Sequence, residues 1–109
     1  MTTWTVPATV VRVVDGDTFV LKLDLGWHIT LEERCRIAGI NAPELALEEG
    51  QAALTWARGA LPIGMGVTFT SHSLDKYGRP LGSISMTSPQ GAVYDYAAEI
   101  LAAGHAVPM

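Results

Sequence analysis

Residues 17–24 alternate: Phe19, Leu21 and Leu23 fall on one side, and Thr18, Val20, Lys22 and Asp24 on the other. A period of two predicts a strand with one buried face. Upstream, Ala-Thr-Val-Val-Arg-Val-Val at 8–14 is β-branched and predicts a second strand. Asp15-Gly16 between them predicts a hairpin turn, with glycine accepting a positive φ. After the break at Leu25-Gly26-Trp27 the alternation resumes over 29–37. Ile29, Leu31, Cys35 and Ile37 share one face, Thr30, Glu32, Arg34 and Arg36 the other, and Glu33 is an exception on the apolar side. These strands form a meander.

Pro43 ends that pattern, and helical spacing takes over across roughly 44–60, with Leu47, Leu54, Ala57 and Leu61 on one stripe. Pro62, Gly64 and Gly66 stop it. Val67–Ser71 and Leu81–Met86 predict short strands joined by the loop Asp75–Pro80, and Ser88-Pro89-Gln90-Gly91 predicts a turn. A second helix is expected over about Val93–Ala103, with Val93, Tyr96, Ile100 and Leu101 inward and Gly104 as its cap. Three strands, a helix, two strands and a helix suit an α+β, mostly β fold: a five-stranded OB-type barrel with two helices, forming one domain over 1–109.

Composition fits a compact chain, since 49% of residues are hydrophobic and only 17% are charged. No apolar run reaches the roughly 18 residues a membrane-spanning helix needs, so no membrane partner is expected. The opening Met-Thr-Thr-Trp-Thr-Val-Pro lacks the basic and apolar regions of a secretory leader, which makes the cytoplasm the default expectation. Cys35 is the only cysteine, so it forms no internal disulfide, and its place on the apolar face makes it a core residue rather than a nucleophile. His28, His72 and His105 have no metal-ligand spacing and read as structural or surface residues. Trp4, Trp27 and Trp56 share no spacing; core and loop packing is the default reading, and the alternative is that an exposed one stacks bases. The net charge of −4 runs against passive nucleic-acid binding, but four of the seven basic residues, Arg34, Arg36, Lys76 and Arg79, flank the segments that carry chemistry.

Three such segments stand out. In Asp15-Gly16-Asp17-Thr18 the bland reading is a turn; the functional one aims the Asp17 carboxylate at a hard cation such as Ca²⁺ or Mg²⁺, with Asp15 fixing the turn or supporting Asp17. In Arg36 to Glu44, Pro43 forces an extended corner. From it Asn41 offers a side-chain carbonyl and Ala42 a backbone carbonyl to the same cation, while Glu44 accepts a proton from water. The alternative makes Asn41 an Asx-turn residue and Glu44 the opening of a helix. In Asp75-Lys76-Tyr77-Gly78-Arg79-Pro80, Arg79 supplies a second guanidinium facing Arg36 across a phosphate. Lys76 and Tyr77 are expected to bind substrate and Asp75 to support the loop; the alternative is a solvated charged loop.

In this order, Asp-Gly-Asp-Thr, Arg-x4-Asn-x-Pro-Glu and Asp-Lys-Tyr-Gly-Arg make the chain, over residues 8–107, resemble the staphylococcal-nuclease-like (thermonuclease) family. The resemblance implies an OB-barrel enzyme that hydrolyses DNA and RNA with Ca²⁺, with Mg²⁺ and Mn²⁺ as alternative ions. It makes Asp17 a metal ligand and Glu44 the residue that positions or deprotonates water. Arg36 and Arg79 become the groups that grip the scissile phosphate. Asn41 departs from the aspartate usual there, which removes one negative charge from the cation site. The third helix of longer relatives has no counterpart after Gly104-His105-Ala106, and the apolar surface this leaves suits a partner subunit, such as a second copy of the chain. Glu48 and Glu49 stand where lysines are common. Three functions follow: a metal-dependent endonuclease, an OB module that binds nucleic acid without cutting, and an assembly domain. Asp17, Arg36, Glu44 and Arg79 together favour the first.

Overall fold

The computed structural model describes residues 3–109. The chain runs β1 (Trp4–Asp15), β2 (Thr18–Gly26), β3 (Ile29–Ile37), β4 (Ile40–Asn41), α1 (Glu48–Ala60), β5 (Gly66–Leu74), β6 (Pro80–Thr87), β7 (Val93–Asp95), α2 (Tyr96–Ala102) and β8 (Val107–Pro108). The main sheet has the order β3-β2-β1-β5-β6-β7, and a parallel pairing of β3 with β6 closes its first five strands into an OB-like barrel. That closure is a short seam, Arg36 beside Leu81 and Ile37 beside Gly82. The Ala38 amide extends it by donating to the Gly82 carbonyl at 2.8 Å.

Alternation fills the barrel. Phe19, Leu21 and Leu23 from β2 meet Val10 and Val13 from β1, Cys35 and Ile37 from β3, Phe69 from β5 and Ile84 from β6, all buried. Both helices cover one end. Leu54, Ala57 and Leu61 pack down from α1, and Tyr96 and Ile100 from α2. The Tyr96 ring meets Phe19 edge-on at 5.0 Å, a favoured aromatic geometry. Burial pushes the Cys35 thiol up to about 12, with the Glu33 charge adding to the effect, so it packs as an inert core residue.

Several boundaries differ from expectation, most of them through a non-local contact. β1 begins at Trp4 because residues 4–7 pair with β5 alone and run through Pro7. β5 and β6 are likewise longer than expected, because the two strands pair along most of their length. The first helix starts at Glu48, not at 44: Glu44 accepts a turn hydrogen bond from the Leu47 amide at 3.0 Å, and Leu47 is exposed at the N-cap. The second helix starts at Tyr96, because Val93–Asp95 pairs with β6 as a strand. Val93 therefore faces outward at 69% exposure rather than joining the core. Ile29 and Leu31 are on the apolar side of β3 yet exposed, because β3 overshoots its seam with β6 and pairs there with β2 only. Strands β4 and β8, absent from the sequence reading, pair Ile40 with Pro108 and Asn41 with Val107.

Candidate functional site

The β1–β2 hairpin turns on Gly16 and Asp17, between the paired residues Asp15 and Thr18. Gly16 is required by close approach and not by a positive φ, which it does not adopt. A Cβ there would come within 2.8 Å of the Ala42 side chain and within 3.3 Å of Ala53 and Ile100. The buried Tyr96 hydroxyl donates to the Gly16 carbonyl at 2.6 Å and fixes the turn under both helices. Burial, with the nearby Asp17 and Asp15 charges, raises the Tyr96 pKa, which keeps this donor protonated.

Asp17 is buried, and its carboxylate has partners on both oxygens. Oδ1 accepts from the Thr18 hydroxyl at 3.0 Å, and Oδ2 accepts from the Ala42 amide at 2.8 Å. The Arg36 guanidinium lies 3.4 Å from Oδ2. Asp15 accepts from the Asp17 amide at 3.0 Å, in the turn-fixing place expected of it. Burial, together with the neighbouring Asp17 carboxylate, lifts the Asp15 pKa to about 6.

Arg36, Asn41, Glu44, Lys76, Tyr77 and Arg79 surround one open cleft of about 860 Å³. Arg36 is the penultimate residue of β3, where the seam with β6 holds it; Nη1 donates to the Ile37 carbonyl at 2.8 Å, and Nη2 reaches Asn41 Oδ1 at 3.4 Å. Glu44 lies in the turn between Pro43 and α1. Asp75 organises the opposite wall: Oδ1 accepts the amides of Tyr77 and Arg79, each at 2.9 Å, and Oδ2 accepts Arg79 Nε at 2.6 Å. Burial works to raise the Asp75 pKa, but these hydrogen bonds and the Arg79 charge prevail and lower it. The Tyr77 ring, 72% exposed, has the Lys76 ammonium at 5.2 Å and the Arg79 guanidinium at 5.4 Å from its centre.

The candidate residues thus fall into two linked groups, those of the cleft and the Asp15–Asp17 turn behind Arg36. Ala42 meets Asp17 through its amide, where its carbonyl was the group expected to matter. Two cleft residues escaped the sequence reading. Leu81 follows Arg79 along β6, and Met109 sits with its sulfur 3.9 Å from Arg36 Nη2, carried there by the β4–β8 pair and its own amide bond to Gly39. No local signal in the sequence announces that pairing.

For a cation, the donors at hand are hard oxygens: the Asp17 and Glu44 carboxylates and the Asn41 amide. They fit Ca²⁺ or Mg²⁺ in kind. Among the described residues, no three His, Cys, Asp or Glu side chains cluster as a metal group, and Arg36 is the cationic partner of Asp17. No helix of the described residues is long and apolar enough to cross a membrane. Neither a protein-family model nor a curated protein matches the sequence.

Proposed function

We propose that this protein is a staphylococcal-nuclease-like phosphodiesterase that hydrolyses DNA or RNA with the help of a divalent cation, Ca²⁺ first among them. The observation that carries the reading is the meeting of Arg36, Glu44 and Arg79, from three separate segments, around one open cleft with Asp17 directly behind. Two guanidiniums across a cleft suit the non-bridging oxygens of a phosphodiester, and they stabilise the charge that builds there when water attacks. Asp75 holds Arg79 in a fixed orientation, so little freedom is lost when a phosphate binds. Glu44 accepts the proton of the attacking water. Lys76 and Tyr77 contact the strand beside the phosphate. Asp17, Asn41 and the Ala42 carbonyl would hold a hard cation, which would supply further positive charge to the phosphate. Asp17, which lies 3.4 Å from Arg36 here, would give up that contact on holding the cation and leave the guanidinium to the substrate.

Cleavage of plasmid and single-stranded RNA should require Ca²⁺, Mg²⁺ or Mn²⁺ and stop with chelator. Arg36→Ala, Arg79→Ala and Glu44→Gln should each lower turnover by about 10²-fold. Asn41→Asp restores a negative ligand and should lower the Ca²⁺ concentration needed for half-maximal rate. A wild-type chain that cuts nothing with any of the three ions overturns the nuclease reading in favour of a module that binds without cutting. A Glu44→Gln variant as fast as wild type removes Glu44 as the base.

A further inference from the structure

The mouth of the barrel is open where β3 overshoots its seam, and a hollow of about 230 Å³ lies there. Trp4, Leu23, Leu31, Phe69 and Leu74 make its walls apolar, and Glu33 and Ser71 are its polar groups. Trp4, Leu31 and Leu74 are 58%, 46% and 60% exposed, so the lip presents apolar surface to water. Gly78 and Pro80 also line the hollow, while their neighbours Tyr77 and Arg79 line the cleft. One loop therefore forms a wall of both.

We infer that this hollow is a nucleobase subsite, taking one unstacked base of a single strand whose phosphate lies in the arginine cleft. The inference rests on the nucleic-acid reading of that cleft. Size, chemistry and position support a base over other occupants. The volume is below the roughly 300–1,000 Å³ of sites for drug-sized ligands and suits a single ring system. Every base offers a flat face to an aromatic residue such as Trp4, and stacking of this kind carries much of single-strand binding. The Glu33 carboxylate accepts hydrogen bonds, matching the amino and ring N–H donors of bases, the cytosine amine above all. It would repel a phosphate, so the base and not the backbone enters. The position fits as well, because the loop 75–79 walls both the hollow and the arginine cleft, so a strand with its phosphate in the cleft passes beside the hollow.

The test is binding of a fluorescein-labelled oligodeoxycytidylate 8-mer, read by fluorescence polarisation with Ca²⁺ in a Glu44→Gln background, beside an abasic strand of the same length. Trp4→Ala should weaken the base-bearing strand about tenfold and leave the abasic strand unchanged. Trp4→Phe, which keeps a ring, should restore most of the loss. Glu33→Gln should weaken the cytidylate strand several-fold. Equal binding by wild type and Trp4→Ala, an equal loss on both strands, or no strand binding by wild type overturns the inference. A dimer in sedimentation that Trp4→Ala dissolves, without base-dependent loss, gives this face to a second copy instead. Base-dependent binding by a protein that cuts nothing with any ion keeps the subsite and removes the nuclease. Cleavage with no Trp4 effect on binding does the reverse.

Discussion

Each arginine of the cleft already has an aspartate: Arg36 lies 3.4 Å from Asp17, and Arg79 lies 2.6 Å from Asp75. The two pairs are not equivalent. Asp75 also receives two backbone amides from its own loop, so it is a permanent anchor, whereas Asp17 faces a guanidinium brought from another strand. Asp15 stands next to Asp17 with its pKa raised from 3.8 to about 6 by burial and by that neighbour. Because the folded value lies above the unfolded one, folding favours the neutral acid. Its contribution is fully present below the unfolded pKa and is lost as pH rises through the folded one, about 6. Asp15→Asn keeps the oxygen that accepts from the Asp17 amide and never ionises. Relative to wild type, the variant should therefore gain about 1 to 2 kcal/mol between pH about 4 and about 7.5, allowing for partial solvent screening. Urea unfolding of both proteins at the two pH values checks this; a constant difference would show that Asp15 titrates normally.

At the scale of elements, the segment between β4 and α1 aims Glu44, and Gly50 is what lets it lie where it does. A Cβ on Gly50 would collide with the Glu44 carbonyl and come within 3.0 Å of the Leu45 backbone. Although alanine favours helix, Gly50→Ala should destabilise the protein by about 1–3 kcal/mol and displace Glu44, lowering turnover at unchanged cation dependence. A thermal melt with a cleavage assay reads both, and a more stable, fully active variant would remove Gly50 as a support. Such contacts explain what was legible in the sequence and what was not. The meander was legible because Phe19, Leu21, Leu23 and Cys35 carry a period of two that only a half-buried strand satisfies. The helix starts were not. Pro43-Glu44 carries the ordinary signs of a helix opening, yet a packed turn precedes α1, and Val93 fits a helical stripe although its backbone pairs with Thr87. Arg36, Asn41, Glu44 and Arg79 were legible as cleft residues from residue type and strand ends, whereas Leu81 and Met109 were not. The partner of Asp17 was not, because alternation tells which face Arg36 occupies but not which charge it meets. The Trp4 lip escaped because it depends on where β3 stops pairing.

Across the whole molecule, the cleft is close to electrically balanced, with Arg36, Arg79 and Lys76 set against Asp17, Asp75 and Glu44. With a net charge of −4 the chain itself offers a polyanion little attraction, so under the proposed nuclease function that attraction would have to come from a bound cation. The two arginines belong to opposite sides of the short β3–β6 closure: Arg36 pairs there with Leu81, two residues after Arg79. A barrel held by so few hydrogen bonds at that line has an obvious place to breathe, and every such opening parts the two guanidiniums. Local opening at this line, rather than side-chain motion, is therefore expected to set how long the two guanidiniums stay together. The Ala38 amide, bonded across the line to Gly82, is its clock. In native-state hydrogen exchange it should trade its proton faster than the amide of Leu21, deep in the meander, and phosphate-mimicking ligands that bridge both arginines should slow it. Exchange of Ala38 as slow as Leu21, unchanged by ligand, would mean the barrel opens only by unfolding altogether.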